Sequence, residues 1–167
     1  LLPINNYLHI HLDEKWFNNL YIKTYTNINP SFSDFSNFLN ILAKSYDILI
    51  TTGLVDLDLI NKLIDNFFKK KSDKIYFNNM NNKLIYLVSK PSFDDLISLL
   101  GRTKKLVSCH GSVTHAANSF NILKIDILEK NKFSFYKRFS SYLKEYNPIF
   151  REDFNTLKKN IYIKLNI

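Results

Sequence analysis

Two short segments hold most of the residues able to do chemistry. The first is Ser108-Cys109-His110-Gly111-Ser112-Val113-Thr114-His115-Ala116-Ala117-Asn118. Gly111 lets the backbone come close to a ligand, and the N–H groups that follow it can receive phosphate oxygens. Ser112 and Thr114 add hydroxyl donors, and His110 and His115 add imidazole donors. The plainer reading has Ser112 capping a helix and each histidine bonding locally to backbone or facing solvent. Two histidines, two hydroxyls and a glycine in one strand-to-helix turn favour a site.

The second segment is His9-Ile10-His11-Leu12-Asp13-Glu14-Lys15-Trp16. Lys15, just beyond a strand, can reach a phosphate over the sheet edge through charge-assisted hydrogen bonds. His9 and His11 share one side of the strand, but without a third ligand the pair calls for no metal. Trp16 reads as a core anchor ahead of a base-stacking platform.

These segments need elements to place them. Tyr7 to His11 reads as a strand, and Phe32, Phe35, Leu39 and Leu42 follow at helical spacing with Ser31 or Ser33 as cap. Asp47 to Thr52 is a second strand. Leu57, Ile60, Ile64 and Phe67 predict a helix closed by Lys69-Lys70-Lys71, whose cations suit a helix end. Lys74 to Phe77 and Leu84 to Val88 read as strands. Ser92 with Asp95 resembles a capping box for a helix that stops at Gly101. Lys105 to Ser108 is a strand, Gly111 starts a helix through Phe120, and Lys124 to Leu128 is a last strand. Phe135, Phe139, Tyr142 and Tyr146 predict a helix before Pro148, with a final helix from Glu152 to Lys159. Strands alternating with helices imply an α/β fold: a Rossmann-like, doubly wound, mostly parallel sheet with helices on both faces. Ligands of such sheets bind at the carboxyl ends of the strands.

The 167 residues, 46% hydrophobic, fit one domain. The net charge of +8 invites a nucleic-acid-binding reading, but the lysines are scattered through the chain. That rival rests on charge alone, and an electrostatic map without a continuous basic stripe would count against it. The lone Cys109 offers no internal disulfide, which favours a cytoplasmic setting, and no apolar run is long enough to span a bilayer. The chain opens at Leu1, as a fragment of a longer protein would.

Asp13-Glu14-Lys15-Trp16 and the Cys109 to His115 turn together resemble the donor-binding domain of the ADP-heptose lipopolysaccharide heptosyltransferases and their relatives. In that family an acidic pair, a lysine and a tryptophan follow the first strand, and an Asp-Thr-Gly-x-x-His turn later opens a helix of small residues. Asp94-Asp95-Leu96-Ile97-Ser98-Leu99-Leu100 is similar to the helix leading into that turn. The family's aspartate falls on Cys109 and its histidine on Thr114, with His115 one place later.

The resemblance implies a single GT-B half over residues 1–167, the carboxyl-terminal donor domain of a cytoplasmic glycosyltransferase working at the inner face of the membrane. It implies a nucleotide-sugar donor, a glycan or lipid-linked acceptor, an amino-terminal acceptor domain and no cofactor. Lys15 and Gly111 would hold the donor diphosphate. Asp56 would meet the ribose or base, although it could equally cap the helix beginning at Leu57. The general base would lie on the other domain, so this half alone would transfer no sugar. The missing aspartate fits an alternative, a non-catalytic nucleotide- or partner-binding module of the same fold.

Overall fold

The computed structural model describes residues 2–17 and 19–167. Strand β1 (Tyr7–Leu12) enters a 3₁₀ turn at Glu14–Trp16. Helix α1 (Phe32–Leu42) follows, with the Ser31 hydroxyl accepting the Asp34 N–H at its first turn. Next come β2 (Ile48–Thr52), α2 (Asp58–Asn66), β3 (Lys69–Lys70), β4 (Ile75–Met80) and β5 (Lys83–Val88). The β4–β5 hairpin turns on Asn81 and Asn82, at φ 53° and 60°. Asparagine tolerates the left-handed region that tight hairpins demand.

Helix α3 (Phe93–Leu100) is capped by Ser92, whose Oγ accepts the Asp95 N–H at 3.2 Å and donates to the Asp95 carboxylate at 2.6 Å. The chain continues through β6 (Thr103–Cys109), a short α4 (Ser112–Ala116), β7 (Leu123–Leu128), α5 (Phe133–Ser140), β8 (Tyr146–Phe150) and α6 (Phe154–Leu165).

The strands form one sheet in the order β3-β4-β5-β2-β1-β6-β7-β8. From β5 to β8 along this order neighbours run parallel, and β4 is antiparallel to both of its neighbours. Numbered among themselves, the parallel strands follow the 3-2-1-4-5-6 order of Rossmann-type sheets. The order reverses between β1 and β6, which makes that gap the switch point.

Strand alternation divides the core. Leu8, Ile10 and Leu12 of β1 cluster with apolar residues of α1, α2 and α6. Leu106 of β6 clusters with Leu100 of α3, with Val113 of α4 and with Ala117 just after it. Trp16, Phe35, Phe38 and Phe154 stack beyond β1, with ring centroids 5.5 Å to 6.4 Å apart. Fully burying such side chains contributes about 1.5–3 kcal/mol each. Trp16 therefore pins the turn that carries Lys15 to the core, and its Nε1 donates to the His11 carbonyl at 3.0 Å.

Two sequence expectations are corrected. Lys69-Lys70-Lys71 does not close a helix: α2 ends at Asn66, Phe68 turns inward, and Lys69 and Lys70 pair with Phe77 and Tyr76. Exposed lysines suit such an edge because they discourage pairing with another chain. The predicted helix through Tyr146 stops at Ser140, and Tyr146–Phe150 is a strand containing Pro148. That proline fits because β8 lies at the sheet edge: Glu145 and Arg151 face β7 in the ladder, which leaves alternate Pro148 with its nitrogen toward the open side. Among the described residues no helix is long and apolar enough to cross a membrane.

Candidate functional site

Beyond the switch point, Asp13 organises the end of β1. Its carboxylate accepts the Lys15 N–H at 3.1 Å, pairs with the Lys15 ammonium, and faces His11 Nε2 at 3.5 Å. Burial alone would raise the Asp13 pKa, but His11 and Lys15 outweigh it and hold the carboxyl below its ordinary value. Burial would likewise lower the Lys15 pKa, and the charge and hydrogen bond of Asp13 hold it above the ordinary value. The ammonium therefore stays charged although it is largely shielded from water.

Lys15 reaches across the gap to the turn after β6. A Cβ on Gly111 would lie 3.3 Å from Lys15 Nζ and 3.4 Å from its Cε. Gly111 has extended backbone, φ 165°, so glycine serves here to leave room for the lysine tip. Gly53, at the end of β2, is tighter: its Cβ would meet Asp13 Cβ at 2.8 Å and Glu14 Oε2 at 3.2 Å. The ends of β1, β2 and β6 thus converge on one small region.

A buried hydrogen-bond chain supports it from below. His9 Nδ1 lies 3.2 Å from Thr103 Oγ1, His9 Nε2 lies 2.7 Å from Thr51 Oγ1, and His11 Nδ1 lies 2.9 Å from the same hydroxyl. Asp13 as a carboxylate only accepts, so one set of protons satisfies the chain outward from it. His11 Nε2 carries its proton toward Asp13, Thr51 donates to His11 Nδ1, and His9 Nε2 donates to Thr51. His9 Nδ1 is left to accept from the Thr103 hydroxyl, which otherwise donates to the Leu99 carbonyl at 3.0 Å. Burial, with His11 nearby, lowers the His9 pKa to about 3, so this imidazole stays neutral.

A second network surrounds Asp126, a fully buried carboxylate on β7. It accepts from His110 Nδ1 at 2.6 Å, Tyr146 OH at 2.7 Å and Thr114 Oγ1 at 3.0 Å. Burial and the Asp126 charge push the Tyr146 phenol pKa up, which keeps it a donor. With Nδ1 committed to Asp126, Nε2 is the atom of His110 left for a ligand.

The candidate residues therefore divide. Lys15, His110 and Gly111 come together at the switch point. Thr114 is buried and bonded to Asp126, which takes it out of reach of a ligand. His115 turns outward, its Nδ1 2.7 Å from the Tyr142 hydroxyl, and burial with the adjacent His110 lowers its pKa toward the neutral form. Ser112 is exposed, and Gly111 rather than Ser112 holds the cap position of a helix only five residues long. Asp56 is exposed and ion-paired with Lys90 at 2.7 Å; α2 starts at Asp58 with Leu57 at its cap position and no side-chain cap. Lys90 sits at φ 47°, left-handed without being glycine, held by its N–H to Thr52 Oγ1 at 2.8 Å. Such strain costs on the order of 1–3 kcal/mol and gathers at functional loops.

Sequence reading missed Arg151, which follows the unrecognised strand β8. It also passed over Asp126, although an acid inside the apolar run Lys124 to Leu128 is itself a signal. Cys109 is buried, and burial raises its thiol pKa well out of the reactive range. Among the described residues no group of three or more His, Cys, Asp or Glu side chains could hold a metal ion.

A small cavity of about 10 Å³ is lined by Lys15, Cys109, His110, Glu129, Tyr136 and Arg151, among others. A larger one, about 460 Å³, opens where Asp56 of the loop after β2 and Asp58 at the start of α2 face Ser31 and Phe32 at the start of α1. A third, about 530 Å³, lies between the β4–β5 hairpin and α3, and of the candidate residues none lines it. No family model, curated protein or solved structure compared with the chain matches it.

Proposed function

We propose that the chain is a doubly wound, Rossmann-like donor domain, one half of a GT-B glycosyltransferase, which binds a nucleoside diphosphate sugar for transfer to a glycan or lipid-linked acceptor. The observation that carries this reading is the Lys15 ammonium lying against Gly111 at the switch point, where open α/β sheets take their ligands. The diphosphate would lie along Lys15 and the turn at Gly111. The nucleoside would extend toward the 460 Å³ cavity, where Asp56 can accept two ribose hydroxyls if it releases Lys90. Gly53 packs against Asp13 and Glu14, so the loop bearing Asp56 starts beside the turn bearing Lys15.

In the transfer step the acceptor oxygen bonds to the anomeric carbon while the bond from that carbon to the diphosphate breaks. The electron pair leaves with the diphosphate. Lys15 would offset that charge in a site with little water, where a fixed cation is worth more than in solution. The general base and acceptor pocket belong to the second domain of such an enzyme.

Thermal and chemical melts with ADP, UDP, GDP and CMP test this. A ligand at ~100 times its dissociation constant adds about 2.7 kcal/mol of stability. Lys15→Ala should remove most of that gain, costing about 1.5–3 kcal/mol of affinity. If none of the four nucleotides shifts the wild-type melt at millimolar concentration, the reading is wrong.

A further inference from the structure

Arg151 is buried to 4% exposure at the carboxyl end of β8. Its Nε donates to the Thr26 carbonyl at 3.0 Å, and its Nη1 donates to the Lys15 carbonyl and lies 3.6 Å from Cys109 Sγ. Its Nη2 is buried with no hydrogen-bond partner among the described residues. The nearby acid does not serve it: Glu129 comes no closer to the guanidinium than Nε at 3.9 Å, and its oxygens accept Thr26 N at 2.8 Å and Thr26 Oγ1 at 3.3 Å. An unpaired donor on a buried cation is costly, and such groups call for an explanation.

The same small cavity is lined by His110, whose Nε2 Asp126 leaves uncommitted, and by Lys15. Three nitrogen-bearing side chains from three different strand ends therefore meet at one void. At about 10 Å³ it admits a single oxygen atom, about the size of one water. Its wall includes Tyr25 and Tyr136, whose hydroxyls lie 2.9 Å apart, with the Tyr25 ring 5.8 Å from the guanidinium carbon of Arg151.

We propose that Arg151, His110 and Lys15 form a phosphoryl-binding subsite closed by the Tyr25–Tyr136 contact, and that Arg151 Nη2 is the donor reserved for a phosphoryl oxygen. This rests on the donor-domain reading only for the identity of the molecule that carries the phosphoryl group. One oxygen enters the void that Arg151 and His110 line, where Nη2 and Nε2 are the nitrogens left without a partner to meet it. The rest of the group needs more room than the closed wall leaves, so the two tyrosine hydroxyls part as it enters. The guanidinium suits this task because it keeps two bonds to backbone carbonyls while a third edge meets the anion. A lysine would keep the charge and lose that geometry.

Inorganic pyrophosphate is the probe. Titration calorimetry on the full chain should detect binding that weakens on the order of ten- to hundredfold in Arg151→Lys and in His110→Gln. Tyr136→Phe, which removes the hydroxyl contact at the wall, should bind at least as tightly as wild type and associate faster. The Arg151 Nε–Hε signal in nitrogen-15 spectra, assigned by loss in Arg151→Lys, should move on pyrophosphate addition in wild type, a readout that a purely structural arginine would not give. If Arg151→Lys proves unfolded, the wild-type signal, assigned instead by through-bond spectra, and His110→Gln still decide the matter. Wild-type binding that leaves the Arg151 signal unmoved, or that survives both substitutions, overturns the subsite even where nucleotides bind through Lys15. Pyrophosphate binding that depends on Arg151, with no nucleotide binding, upholds the subsite and overturns the nucleotide reading instead.

Discussion

His9 carries a protonation state that the unfolded chain does not share. Its pKa falls from 6.5 to about 3 on folding, first through burial and then through His11. Below pH 6.5 the unfolded chain therefore takes up a proton that the folded chain refuses. The contribution to stability is full above that pH and is lost as pH falls toward 3, by roughly 1.4 kcal/mol per unit. Asp13, whose pKa is depressed from 3.8, adds its own loss only below that value, so between pH 7 and 4.5 the slope belongs to His9 and not to Asp13. Urea unfolding from pH 7 to 4.5 should show wild type losing stability more steeply than His9→Gln, which keeps an amide for Thr51 but cannot titrate. Equal slopes would mean that His9 is not held neutral. The same polar chain explains why a metal is not needed to account for His9 and His11: Thr51 joins them, and Asp13 ends the line.

Where elements meet, the two glycines separate fold from site. A Cβ on Gly53 would strike Asp13 Cβ at 2.8 Å, between two backbone segments that cannot both yield cheaply. Gly53→Ala should cost on the order of 1–3 kcal/mol of stability, as overpacking does. A Cβ on Gly111 would press only on the flexible tip of Lys15, at 3.3 Å. Gly111→Ala should leave unfolding nearly unchanged while weakening nucleotide binding by displacing the ammonium. Denaturant melts and nucleotide titrations on both variants check this, and a Gly111→Ala protein that binds as wild type does would remove Lys15 from the site. Elements marked by caps and clean periodicity were legible beforehand, such as α1 behind Ser31 and α3 behind Ser92 and Asp95. β3 and β8 were not, because Lys69-Lys70 and Tyr146 to Pro148 have the composition of a helix end and a strand breaker. Only their edge positions make them strands.

At the scale of the molecule, the proposed donor-domain reading makes this one sheet a single wall of the cleft in which a two-domain transferase would work. The chain incubated alone with nucleotide sugars and sugar acceptors should bind donor and transfer nothing, since one wall cannot bring donor and acceptor into attack geometry. Reproducible transfer lost in His110→Ala would refute the half-enzyme reading and make His110, held by Asp126, the base. From sequence alone, the alternation of apolar strands and amphipathic helices settled the α/β class, because burial on both faces of a parallel sheet imposes that pattern on neighbouring residues. It also settled that Lys15, His110 and Gly111 follow strands. That these three share one gap, while Asp56 pairs with Lys90 and Thr114 is spent on Asp126, was decided by the strand order. Arg151 and Asp126 joined the site by the same route, since pairing between β6, β7 and β8 brings together residues that no local pattern connects.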